Sequence, residues 1–192
     1  MKNNVTSVYM VGVGGQGIIR ASDILCEVVM RSGLDVKKSE VHGMAQRGGS
    51  VTSHVRYGER VYSPLAAKGG VDILVAFERL EALRNLDYVK PDGRVIMSEL
   101  ELYPPAVNLG VAPYPEGVAE TVRKRVSDVK EINTTRIAVK AGNIRAENTV
   151  LLGVLSTYLD VDVRIWSQVL HDSFPPKLRD VNLRAFEAGR AA

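Results

Sequence analysis

Six residues, Gly12 to Gly17 (GVGGQG), constrain this chain more than any other stretch. Val8 to Val11 before them is a short apolar run, mostly β-branched or aromatic, which suits a buried strand. After them Ile18, Ala21, Leu25, Val28 and Val29 recur at helical spacing, and Gly33 stands where a helix would stop. Strand, glycine turn and helix in that order make a βα unit of the phosphate-binding kind. The glycines let the backbone bend tightly, and the free N–H groups of the helix start face an anion. Gly12-x-Gly14-x-x-Gly17 matches the dinucleotide fingerprint. Two readings stay open here. Gly12, Gly14, Gly15, Gln16 and Gly17 cradle a cofactor, or they form a tight turn with close helix–strand packing and no ligand.

The rest of the chain reads as wrapped around that unit. Leu34 to Val41 is a second strand, and a dinucleotide fold would place its ribose-binding acid near the end; Glu40 is the candidate. His42 to Ser50 (HGMAQRGGS) is a polar loop. Val51, Ser53, Val55 and Tyr57 then alternate with polar residues as in a half-exposed strand. Gly58-Glu59 reads as a hairpin turn, with Arg60 to Ser63 returning antiparallel. Val71 to Phe77 is the clearest buried strand, Arg79 to Val89 a helix stopped by Pro91-Asp92-Gly93, and Arg94 to Ser98 a strand. Four prolines between Glu99 and Pro115 exclude a regular helix, leaving a winding connection with at most one short strand. Gly117 to Val126 reads as helix and Val129 to Asn133 as an edge strand. Thr135–Ala141, Asn148–Leu159, Asp162–Ser173 and Leu178–Gly189 then read as four helices, with Asp162 as an N-cap and Pro175-Pro176 as a stop. The fold class expected is α/β: a Rossmann-like, mainly parallel sheet flanked by helices, with an inserted hairpin and a helical C-terminal section. A length of 192 residues fits a single domain, 1–192.

Composition removes several functions. Twenty-five basic against 22 acidic residues is too even a balance for a nucleic-acid binder, and no basic run is interleaved with aromatics. No stretch approaches the length of a membrane span, and the first residues do not form a signal peptide, so a cytoplasmic protein is expected. The lone cysteine, Cys26, makes no internal disulfide and cannot alone hold zinc or an iron–sulfur cluster. No Ser-His-Asp set, HExxH motif, Walker lysine or nucleophile elbow is present. No catalytic residue is assigned in this chain alone, and no metal ligand.

Three clusters can carry function. The first is the glycine loop with Gln16, whose amide can bond a phosphate or a facing subunit. The second runs from Glu40 through His42, Met44, Gln46, Arg47, Gly48 and Gly49 to Ser50. Arg47 offers a planar fork for carboxylate or phosphate, and its flanking glycines permit close approach. His42 and Gln46 serve either as ligand contacts or as loop-fixing hydrogen bonders, and Met44 suits an interface. The third is Glu78 with Glu81, beside the carboxyl ends of the strands where α/β sheets place ligands; the alternative is acids complementing a helix start.

EVHGMAQRGGSVTSHVRYG, preceded by GVGGQG and followed by Ser63-Pro64 and Ala76 to Glu78 (AFE), resembles the gamma-type domain of 2-oxoacid:ferredoxin oxidoreductases. GNIRAENTVLLGVL and NLRAFEAG resemble later, less specific segments of the same family, and the likeness is strongest toward its arylpyruvate branch. The resemblance implies a subunit of an enzyme that oxidatively decarboxylates a 2-oxoacid to acyl-coenzyme A. It also implies an alpha subunit as partner, carrying thiamine diphosphate with magnesium and the iron–sulfur clusters that feed ferredoxin. Coenzyme A is then the co-substrate. Gly12 to Gly17 and Glu40 would face a cofactor, and His42 to Ser50 with Glu78 the substrate or the subunit contact. The rival readings are a self-sufficient NAD(P)- or flavin-binding oxidoreductase and a nucleotide-sensing module.

Overall fold

The computed structural model describes residues 5–42 and 49–192, with only the backbone of His42. Six strands form one sheet: β1 (Thr6–Val13), β2 (Asp35–His42), β3 (Ser50–Gly58), β4 (Val71–Ala76), β5 (Val89–Ser98) and β6 (Asp128–Ile132). Their order is β2-β3-β1-β4-β5-β6. β1, β4, β5 and β6 pair in parallel, while β3 runs antiparallel to both β1 and β2. Five strands therefore share a direction and β3 alone is reversed.

Alternation along β1 separates two cores. Val8 and Met10 face α1 (Ile18–Arg31) and a C-terminal group of helices: α5 (Thr134–Ala141), α6 (Glu147–Ser156), α7 (Val163–Ser173) and α8 (Pro176–Arg190). Tyr9 and Val11 face α2 (Arg79–Arg84) and α4 (Val118–Arg125). Helices cover both faces, which is what lets a strand such as Val71–Ala76 be apolar on both sides. Asp162 caps α7 by accepting from the Arg164 N–H at 2.8 Å, and Pro176 opens α8, where a missing N–H is harmless.

Three expectations are corrected. Arg60 to Ser63 forms no strand; the hairpin partner of β3 is β2, paired from Asp35↔Gly58 to His42↔Val51. The Asp35 carboxylate instead accepts from the Val61 N–H at 2.8 Å, turning the chain away from the sheet. The helix after β4 ends at Arg84, a short 3-10 turn (Leu86–Tyr88) follows, and β5 runs through Pro91-Asp92-Gly93. β5 tolerates that sequence because its pairing with β4 shifts register between Val71 and Ile73. The proline-rich connection carries a short helix, α3 (Pro105–Asn108), rather than a strand, with Pro105 at its first position.

The crevice at the carboxyl ends of β1 and β4

Gly12 to Gly17 is a packed turn. The Gln16 side chain bridges two strand ends: Oε1 accepts from the Val13 N–H at 2.7 Å, and Nε2 donates to the Phe77 carbonyl at 2.8 Å. Gly12 is glycine because a Cβ there would stand 2.7 Å from Gln16 Oε1 and 2.8 Å from Phe77 Cβ. Gly17 has a φ of 79°, and its missing Cβ leaves room for the Asn148 amide at the start of α6. Gly14 N–H donates to the Gly49 carbonyl at 2.8 Å, and Gln16 N–H to the Val13 carbonyl at 3.2 Å. Gly15 differs. Its φ is 106° and nothing approaches its Cβ position within 4 Å. α1 begins beside it with no side-chain cap and no acid in its first turn, which leaves the positive end of the helix dipole uncompensated by its own residues.

Across the loop lie two buried glutamates. Glu78 caps α2, with Oε2 accepting from the Glu81 N–H at 2.9 Å. Its Oε1 accepts from the Leu102 N–H at 3.2 Å and the Tyr114 hydroxyl at 3.0 Å. Burial, with the neighbouring Glu81 adding to it, holds the Glu78 carboxyl above the usual carboxylate range although three donors point at it. The same burial, with Glu78 alongside, pushes the Tyr114 hydroxyl up. Glu81 accepts from the Ser50 hydroxyl at 2.6 Å and pairs with Arg84 at 2.6 Å. Gly14, Glu78, Glu81, Arg84, Leu102 and Pro104 lie on the walls of a cleft of about 550 Å³.

The structure thus brings together Gly12 to Gly17, Gly49, Ser50, Glu78 and Glu81. It leaves Glu40 apart. β3 intervenes between β2 and β1, so Glu40 stands about two strand spacings, roughly 10 Å, from the strand that carries the glycines. There it pairs with Lys38, which also meets Asp23 of α1. His42 closes β2 opposite Val51. Met44, Gln46, Arg47 and Gly48 lie outside the described residues. Sequence reasoning missed Asn148, Tyr114, Leu102 and Arg84. Only Arg84 had a local signal, three residues after Glu81 on one helix face.

Residues of this chain do not fit an iron–sulfur cluster. Cys26 is partly buried on α1, with its thiol pushed up to about 11 by burial, and no group of three His, Cys, Asp or Glu among the described residues is placed to hold a metal ion. No helix among them is long and apolar enough to cross a membrane.

Residues 7–192 match the pyruvate ferredoxin/flavodoxin oxidoreductase family. The chain is 39% identical over 187 residues to "Indolepyruvate oxidoreductase subunit IorB" of Archaeoglobus fulgidus, covering 95% of this chain and 92% of that one. Its fold is similar to pyruvate oxidoreductase subunit PORC of Thermotoga maritima, with a TM-score of 0.75, 20% identity and coverage of 97% and 96%. It is also similar to the 2-oxoglutarate:ferredoxin oxidoreductase of Magnetococcus marinus, with a TM-score of 0.73 and 23% identity. That match covers 99% of this chain and 31% of the longer one.

Proposed function

The chain belongs to the pyruvate ferredoxin/flavodoxin oxidoreductase family and is a subunit of a 2-oxoacid:ferredoxin oxidoreductase, and from that premise we propose that it serves an enzyme of the indolepyruvate type. The observation that carries this reading is its 39% identity to an indolepyruvate oxidoreductase subunit over nearly the whole of both chains. An alpha subunit supplies thiamine diphosphate, magnesium and the iron–sulfur clusters, and with them decarboxylation and single-electron transfer to ferredoxin. This chain supplies a wall. The open side of Gly15 and the uncapped start of α1 offer N–H groups to a phosphate of coenzyme A. The adjoining cleft, with Leu80, Leu102 and Pro104 on its wall, shelters the apolar part of a substrate. Arg47 belongs to the same reading as the cation that meets an anion from substrate or partner.

The test is reconstitution. The chain is co-expressed with the large subunit, and reduction of ferredoxin is followed with indolepyruvate, phenylpyruvate, pyruvate and 2-oxoglutarate, each with coenzyme A. Arylpyruvates are expected to give a kcat/KM at least about tenfold above the others, within what an apolar pocket can discriminate. Preference for pyruvate or 2-oxoglutarate would overturn the substrate assignment.

A further inference from the structure

Several arginines among the described residues have an acidic partner. Arg31 meets Glu27 and Asp172, Arg79 meets Glu101 and Glu131, Arg84 meets Glu81, Arg94 meets Asp128, and Arg125 meets Asp87. The face made by α5 and α8 gathers three cations that do not. A groove of about 520 Å³ runs between the two helices, with Ile137, Ala141 and Ala188 on its apolar wall and Arg136, Lys140 and Arg184 among the residues lining it. None of these three cations forms an ion pair with any of the described residues. Arg184 Nε donates to the Ala141 carbonyl at 3.1 Å, and Glu187 is the one acid in the described lining. Val139 on α5 and Ile144 just after it are more than half exposed.

Helix stability explains only one of these charges, Lys140, which lies in the last turn of α5. Arg136 sits in the first turn of α5, three residues past the Asn133 cap and with no acid beside it in that turn. A cation there opposes the helix dipole. Lys140 follows at i+4, where two like charges repel. These cations are exposed, and a chain that covered the apolar floor between them would have to bring carboxylates to meet them, because burying them unmet is unfavourable.

We propose that the α5–α8 groove docks an acidic, apolar-centred segment of the large partner subunit, whose carboxylates meet Arg136, Lys140 and Arg184. This rests on the complex assigned above. The experiment titrates the large subunit, purified separately, into the wild-type chain and into Arg136→Glu/Lys140→Glu, over a range of salt concentrations. Both side chains are exposed, so the free variant should melt with the wild type; Arg136→Gln/Lys140→Gln provides a milder pair should it not. The expected result is at least about a tenfold weaker association at low salt, with a flatter salt dependence, and recovery in Arg136→Lys/Lys140→Arg. Unchanged affinity and salt dependence overturn the proposal alone. Self-association of the free chain that charge reversal abolishes also overturns it, by naming a second copy as the occupant. A wild-type chain that does not bind the large subunit overturns the assigned complex as well.

Discussion

Glu78 holds three short-range donors on two oxygens inside a site where its own charge is disfavoured. Its raised pKa means that the folded chain keeps a proton which the unfolded chain has already released. Folded protein therefore binds more protons over that interval, and stability falls as pH rises from just above the usual carboxylate range through the folded value. Glu78→Gln removes the titration but leaves one carboxamide oxygen for donors that had two. The variant is expected to be about 1–3 kcal/mol less stable at low pH, with the gap to wild type closing as pH rises. Urea melts across the acid range measure it, and a gap that widens with pH would show the ionised form to be the stabilising one. Glu78 and Ser50 were legible in the sequence because each lies within a short motif. Gln16 was legible as important but not in its role. Whether its amide reaches outward or bridges β1 to β4 depends on where Phe77 comes to lie, 61 residues on.

At the scale of elements, periodicity located nearly every helix and strand, and the misplaced hairpin has a definite cause. Which strand pairs with β3 is a choice between neighbours on either side in the chain, and a two-residue turn at Gly58-Glu59 competed with a seven-residue connection. Local turn chemistry favoured the first, while the longer ladder of β2 and its contact with α1 decided for the second. A second illegible feature is the crossing of α6 and α8. A Cβ at Gly153 would overlap the Phe186 carbonyl oxygen, and one at Gly189 the Val150 carbonyl oxygen, so the two backbones touch. The signal was a glycine inside each helical pattern, a position that lowers helix stability unless packing requires it. Gly153→Ala must push α8 away from the core that Trp166 and Phe186 share. A loss of about 1–3 kcal/mol is expected, read as a lower urea midpoint; a midpoint equal to or above wild type would mean the helices cross elsewhere.

For the whole molecule, the proposed function puts chemistry and scaffold in different chains. The purified subunit alone should contain no stoichiometric iron by elemental analysis and should not reduce ferredoxin with any 2-oxoacid, and activity should appear on addition of the large subunit. Visible cluster absorbance from the subunit alone would contradict this. The sheet decides how that addition can happen. Its two open margins are β2 and β6. β2 carries Asp35, Lys37, Lys38 and Glu40, and β6 carries Asp128, Lys130 and Glu131. Several of these charges are tied to α1, to α2 or to their own strand. Such margins resist strand addition from another chain, because a newcomer must bury fixed charges before its main chain can bond. Growth by sheet extension, whether into a productive complex or into fibrils, is thereby disfavoured for this subunit, which leaves its helical faces and loops as the surfaces open to other chains.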